Sequence, residues 1–140
     1  MTHLYTRGSE YALRALQEMA VEPDRRWTVA DICEHVAIPE QFTRKVLQSL
    51  VRSGILTSIR GPGGGYSFAI PPETISLSSV IVSVESGPRF DLCILGYEHC
   101  SDLDPCPLHY FWAPIKNSAL AMLKERTVAD LAKEPRRRKQ

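Results

Sequence analysis

Three segments with helical apolar spacing, a glycine-tipped pair of strand-like runs and a further long helix with an apolar stripe predict a mainly α fold with a small β-hairpin wing. The order of these parts is that of a winged helix-turn-helix followed by a long C-terminal dimerisation helix.

The chain has 140 residues, enough for one compact unit with an appended element but not for a separate catalytic domain. Its composition, 44% hydrophobic and 24% charged, is that of a soluble globular protein. No apolar run approaches the length of a bilayer span, so no membrane partner is expected. The start, Met1 to Arg7, has no basic segment leading into a long apolar stretch. The expected location is therefore the reducing cytoplasm, where clustered cysteines more often bind metal than pair.

The first helix is read from Ser9 to Val21, with Tyr11, Ala12, Ala15, Leu16, Met19 and Ala20 at helical spacing, Ser9 as N-cap and Pro23 beyond the end. Thr28 caps a short second helix, Val29 to Val36, with Asp31 in the reciprocal position of a capping box. After the break Ala37-Ile38-Pro39, a third helix runs from Pro39 to about Ser53 and Gly54 ends it. Its inward face is read as Phe42, Val46, Leu47 and Leu50, and its outward face as Gln41, Thr43, Arg44, Lys45, Gln48 and Arg52. Two short strands, Ile55 to Arg60 and Tyr66 to Ile70, flank Gly61-Pro62-Gly63-Gly64-Gly65, which is hairpin chemistry.

Ser76 to Val84 is assigned to a helix with Ser76 or Ser78 as cap, against its strand-like propensity. Gly87 to Pro107 has no apolar period and reads as a loop. From Leu108 to about Arg126 a helix returns, with an apolar stripe of Leu108, Phe111, Trp112, Ile115, Ala119, Met122 and Leu123; Pro114 marks either a kink or a later start. A homodimer is the simplest way to bury that stripe. The tail carries four consecutive basic residues, Arg136 to Lys139, and reads as disordered. The expected organisation is a DNA-binding region over 1–72, a linking helix and cysteine loop over 73–107, a dimerisation helix and C-terminal end over 108–132, and the tail over 133–140.

Net charge is only +1, but it is distributed unevenly. Pro39 to Arg60 carries a net +3, whereas Glu85 to Asp104 carries a net −4. The first could face phosphate; the second would repel it. Gln41, Thr43, Arg44, Lys45 and Gln48 supply donors for base edges and phosphates. The wing, Gly61, Pro62, Gly63 and Gly64, lets backbone approach DNA closely, and Arg60 beside it suits a minor groove. Each residue alone is read more simply as solvated surface; the ordered set favours double-stranded DNA. The glycine run lacks the Lys-Ser/Thr of a phosphate-binding loop, and no small-molecule substrate is expected.

Cys93, Cys100, Cys106 and His109 offer three thiolates and an imidazole, which suit an iron-sulfur cluster or zinc. The gaps of six and five residues are wider than the close pairs of small zinc modules and fit a cluster better. Other readings are a zinc-stabilised or cluster-free winged-helix protein acting on DNA or on protein, and a thiol enzyme using Cys106 and His109. The last lacks an orienting carboxylate. Cys33 is read as a small core residue.

Arg60-Gly61-Pro62-Gly63-Gly64-Gly65-Tyr66 after Leu50 to Leu56, with Glu10-Tyr11-Ala12-Leu13-Arg14-Ala15-Leu16 and Thr127-Val128-Ala129-Asp130-Leu131, resembles the Rrf family of winged-helix transcription regulators. The resemblance covers about Leu4 to Leu131. It implies a homodimer on a two-fold-related operator and an iron-sulfur cluster that senses redox, nitrosative or iron-sulfur status. In that family three cysteines about five residues apart hold the cluster, which carries over to Cys93, Cys100 and Cys106, with one extra residue in the first gap. The IscR type adds a histidine where His109 stands, implying [2Fe-2S], the favoured assignment. The NsrR type uses an acidic residue aligned with Glu10 of the partner subunit, implying [4Fe-4S]. The IscR type also has an acidic residue where Arg44 stands, so its operator sequence does not transfer to this chain.

Overall fold

The structure is a computed structural model that describes residues 4–85, 93–97 and 101–133. Cys100, and the basic tail from residue 134 onward, lie outside the described residues.

The first helix, α1 (Arg7–Met19), begins earlier than its apolar spacing suggests, because Thr6 and not Ser9 is its cap. The Thr6 hydroxyl accepts from the Ser9 amide, leaving Ser9 fully buried inside the first turn, where its hydroxyl donates to Glu85 at 2.8 Å. α2 (Val29–His35) opens on the anticipated capping box, with the Thr28 and Asp31 side chains each accepting the other's backbone N–H.

α3 (Glu40–Arg52) ends at Ser53, and Gly54 follows at φ 83°, the left-handed position that glycine occupies without steric cost. Its inward face is Thr43, Val46, Leu47 and Leu50. Phe42, expected inside, is 54% exposed and packs at a tilt on Tyr11. Thr43, expected outside, is fully buried. It tolerates burial because its hydroxyl donates to the Pro39 carbonyl at 2.9 Å and accepts from the Cys33 thiol at 3.6 Å, so neither role is left empty.

The hairpin pairs β1 (Leu56–Ile59) with β2 (Gly65–Phe68) in antiparallel register, Leu56 opposite Phe68 and Ile59 opposite Gly65. Both strands are shorter than the sequence suggests. Trp27 adds an isolated antiparallel bridge to β2 by exchanging two backbone hydrogen bonds of 2.7 Å with Tyr66. A side chain at Gly64 would put its Cβ 2.2 Å from the Ile59 carbonyl oxygen, so the hairpin closes only with glycine there.

After a 3₁₀ turn at Pro72–Thr74, α4 (Leu77–Glu85) forms as expected, with Ser76 accepting from the Ser79 amide. Packing of Leu77, Val80 and Ile81 into the core overrides the β-branched propensity of the segment. α5 (His109–Glu125) runs through Pro114 without a later start. It ends at Glu125, close to the end near Arg126 that its apolar spacing suggests. Arg126 is extended, and α6 (Val128–Lys133) starts on a second capping box between Thr127 and Asp130, repeating the Thr-Val-Ala-Asp sequence of α2.

The core joins α1, α3 and α4 through Leu16, Met19, Leu47, Leu50, Val80 and Ile81. α6 closes it from the C-terminal side: Val128 N–H donates to Ile75, Leu77 N–H donates to Arg126, and Gln17 donates to the Leu131 carbonyl. α6 is thereby bound to α1, the first helix of the chain.

Candidate nucleic-acid interface and cysteine site

α3 and the hairpin face each other across an open groove of about 680 Å³. Arg44, Gln48 and Arg52 enter it from α3, and Ser58, Arg60, Gly61 and Gly64 from the hairpin. Thr28, Val29 and Ala30 at the start of α2, Glu40 of α3 and Tyr66 of β2 also line it. Residues far apart in sequence thus set three guanidinium groups along one channel. Arg44 pairs with Glu40 at 3.1 Å, but both are exposed, so the pair holds Arg44 only weakly.

Gln41 and Lys45 lie exposed on α3, and Pro62 and Gly63 are exposed at the wing tip; none of the four lines the groove. Thr43 is on the opposite side of α3 and is withdrawn from the anticipated contacts, because a fully buried hydroxyl bonded to its own helix cannot reach a base.

Two contributors are not evident from the sequence. Arg52 reads there as an outward residue with no place in the site. Arg26 donates to the Gly63 carbonyl at 2.7 Å and so ties the wing tip to the segment before α2. The Arg25-Arg26 pair next to Trp27 is the available signal; Arg25 stacks on the Trp27 ring at 3.9 Å and leaves Arg26 to the wing. At the start of α2, the Thr28 amide and hydroxyl, aided by Arg25, hold the Asp31 carboxyl below its ordinary value.

The cysteine loop is described in two pieces. Cys93 is buried at 2% exposure, Cys106 is half-buried, and their sulfurs lie 3.6 Å apart. Burial opposes a charged Cys93 sulfur, yet backbone N–H groups of Leu95, Tyr97 and Gly96, with the Cys106 thiol, outweigh it and lower the Cys93 pKa. Gly96 closes the turn that aims these groups, at φ 85° with its N–H donating to the Cys93 carbonyl. Cys106 sits at the start of α5, its carbonyl accepting from the His109 amide at 3.0 Å.

His109 is 3% exposed, and its Nε2 meets the Asp102 carboxylate at 2.6 Å, so the carboxylate that the sequence reading did not find beside this histidine is supplied from seven residues upstream. Among the described residues, no three His, Cys, Asp or Glu side chains converge closely enough to hold a metal ion. The structure therefore brings Cys93 and Cys106 together, and engages His109 with Asp102. Cys100 lies outside the described residues. Glu10 is exposed on α1, 3.9 Å from Arg14.

Tyr110, Phe111, Ile115 and Met122 are exposed along α5, with Phe111 at 76%. Leu123 is buried, so the stripe predicted as one face divides into a core side and an open side. No helix among the described residues is long and apolar enough to cross a membrane.

Residues 5–134 match the Rrf2 family, described as an iron-dependent transcriptional regulator. An HTH-type transcriptional regulator of Aquifex aeolicus is 32% identical over 123 residues, covering 86% of this chain and 85% of that protein. The HTH-type transcriptional regulator IscR of Yersinia enterocolitica is 29% identical, covering 90% of this chain and 77% of that one. Among solved structures, CymR, the global cysteine regulator of B. subtilis, superposes with a TM-score of 0.76 at 22% identity, covering 95% of this chain and 98% of that chain. IscR of T. potens gives 0.70 at 22% identity, covering 91% and 85%. The winged-helix arrangement is common to them.

Proposed function

The chain belongs to the Rrf2 family of transcriptional regulators, and on that basis we propose that it binds a two-fold-related operator as a homodimer and carries an iron-sulfur cluster on its cysteine loop. It is a regulator and not an enzyme, which removes the Cys106–His109 thiol-enzyme reading.

The DNA contacts rest on the shared groove. α3 would enter the major groove with Gln41, Arg44, Lys45 and Gln48 toward base edges and phosphates. Arg60 and the tip Gly61-Pro62-Gly63-Gly64 would follow the flanking backbone or minor groove, with Arg52 adding charge between them. The open side of α5, centred on Phe111, Ile115 and Met122, is the surface that a second copy would cover.

One observation carries the cluster reading: Cys93 and Cys106 meet at the foot of α5, with Cys93 supported by backbone N–H groups that favour a thiolate. That donor set fits cluster ligation, with Cys100 as the third thiolate. His109, the favoured fourth ligand for [2Fe-2S], would have to exchange its bond to Asp102 for the metal. Glu10 of the partner subunit is the alternative, for [4Fe-4S]. When bound, the cluster would supply an iron centre responsive to redox or nitrosative chemistry.

The chain's own residues provide a route from the loop to the DNA-binding helices. Glu85, the last residue of α4 before the loop, accepts from the Thr6 amide and the Ser9 hydroxyl at the start of α1. α5 begins three residues after Cys106. A change in the loop can bias both α1 and the dimer helix, and so the spacing of two recognition helices; a coupling of about 1.4 kcal/mol changes occupancy tenfold.

Anaerobic reconstitution with iron and sulfide tests the reading. Visible absorption that is lost in Cys93→Ser and Cys106→Ser is expected. Tight zinc binding with no such absorption would replace the cluster with a zinc-stabilised regulator.

A further inference from the structure

Cys93 and Cys106 already touch, and they are not equivalent. Cys106 is half-buried, within reach of a small solute, whereas Cys93 is at 2% exposure with its sulfur 3.6 Å away. A reagent from solvent therefore meets Cys106 first, and the nearest described thiol to whatever forms there is Cys93.

We propose that in the cluster-free protein peroxide converts Cys93 and Cys106 into a reversible intramolecular disulfide, with Cys106 the sulfur first oxidised and Cys93 the resolving thiol. The proposal takes its cysteine pair from the functional reading above but does not require that the pair ever ligate iron.

Cys106 sulfur attacks hydrogen peroxide; an S–O bond forms, the O–O bond breaks, and the displaced oxygen leaves as water with the thiol proton. Cys93 sulfur then attacks Cys106 sulfur; the S–S bond forms and the S–O bond breaks. The hydroxyl departs as a second water with the Cys93 proton. The sulfur pair gives up two electrons and peroxide receives them. A dithiol reverses the product by exchange through a mixed disulfide.

The bond would tie the beginning of the loop to the residue whose carbonyl receives the first amide of α5. It would also withdraw two of the three loop thiols from metal binding. A chain oxidised in this way would stay cluster-free until reduced, which makes peroxide exposure and cluster loading mutually exclusive states of one loop.

The test uses full-length protein, stripped of iron by chelation without oxygen and then treated with hydrogen peroxide. Remaining thiols are alkylated, and the protein is cleaved at acidic residues, since Glu98, Asp102 and Asp104 separate the two cysteines. The expected product is a Cys93–Cys106 linked peptide within one chain, with Cys33 and Cys100 alkylated. Cys100→Ser should retain the link and Cys106→Ser should abolish it. Oxidised wild-type protein should fail to take up iron and sulfide until dithiothreitol is added. A dominant link through Cys100, a link between chains, or recovery of Cys93 and Cys106 both alkylated would overturn the proposal. Failure of the never-oxidised protein to take up a cluster would instead strike the cluster reading, and the peptide map would still decide the disulfide by itself.

Discussion

Arg60→Ala gives the sharpest test of the DNA interface. Arg60 stands exposed at the end of β1, where the hairpin turns toward the groove. An exposed arginine away from the core changes folding stability by no more than about 0.5 kcal/mol, so any loss of binding belongs to the interface. Each phosphate contact contributes about 0.9 to the slope of log affinity against log salt concentration. A two-fold complex presents Arg60 twice, so the variant's slope should be shallower by about 1.8. Between about 50 and about 200 mM salt, the gap between wild type and variant should therefore close by roughly tenfold. Fluorescence anisotropy on a labelled operator duplex, titrated across that range, reads the slope directly. A change of about 0.9 would mean one wing per complex and defeat the two-protomer geometry. An unchanged slope with unchanged affinity would remove the wing from the interface.

Arg26→Ala should loosen the wing tip by deleting the bond to Gly63; operator affinity is expected to fall about fivefold, near 1 kcal/mol, with the thermal unfolding midpoint hardly moved and limited proteolysis cutting faster within 61–65. Thr28→Ala removes one half of the α2 capping box and should cost about 1 kcal/mol in urea unfolding at neutral pH. Because Thr28 lowers the Asp31 pKa, that part of the stability is fully present above the ordinary carboxylate pKa and is lost as pH falls through the lowered value. The variant should accordingly lose less stability on acidification than wild type, and equal acid slopes would refute the link. Phe111→Glu should dissociate the proposed homodimer, since two copies of a phenylalanine each contribute about 1.5 to 3 kcal/mol when buried; light scattering should show a folded monomer, and an intact dimer would move the interface off this face of α5.

Much of the site is legible in the sequence because its signals are local. A capping box and a glycine run after a strand-like segment each express short-range geometry, and α2 and the hairpin follow from them, while close spacing gathers the cysteines into one loop. The second Thr-Val-Ala-Asp box carries the same information at the start of α6, just past the point near Arg126 where the apolar stripe has run out. Serine prefers the cap of a helix, which favours Ser9 for that role; a carboxylate 76 residues away makes it a buried donor instead.

The amino-acid order alone determined the winged-helix sequence of elements, the basic α3 and wing, and the grouping of three cysteines in one loop, because helical period, turn composition and residue type are properties of short segments. Only the tertiary structure decided that Thr43 is core and Phe42 surface, that Arg26 braces the wing, that Cys93 lies against Cys106 while His109 meets Asp102, and that α6 returns to α1. Those outcomes depend on which side of a helix finds a neighbour and which distant group arrives to satisfy a polar atom, and neither is encoded within a single segment.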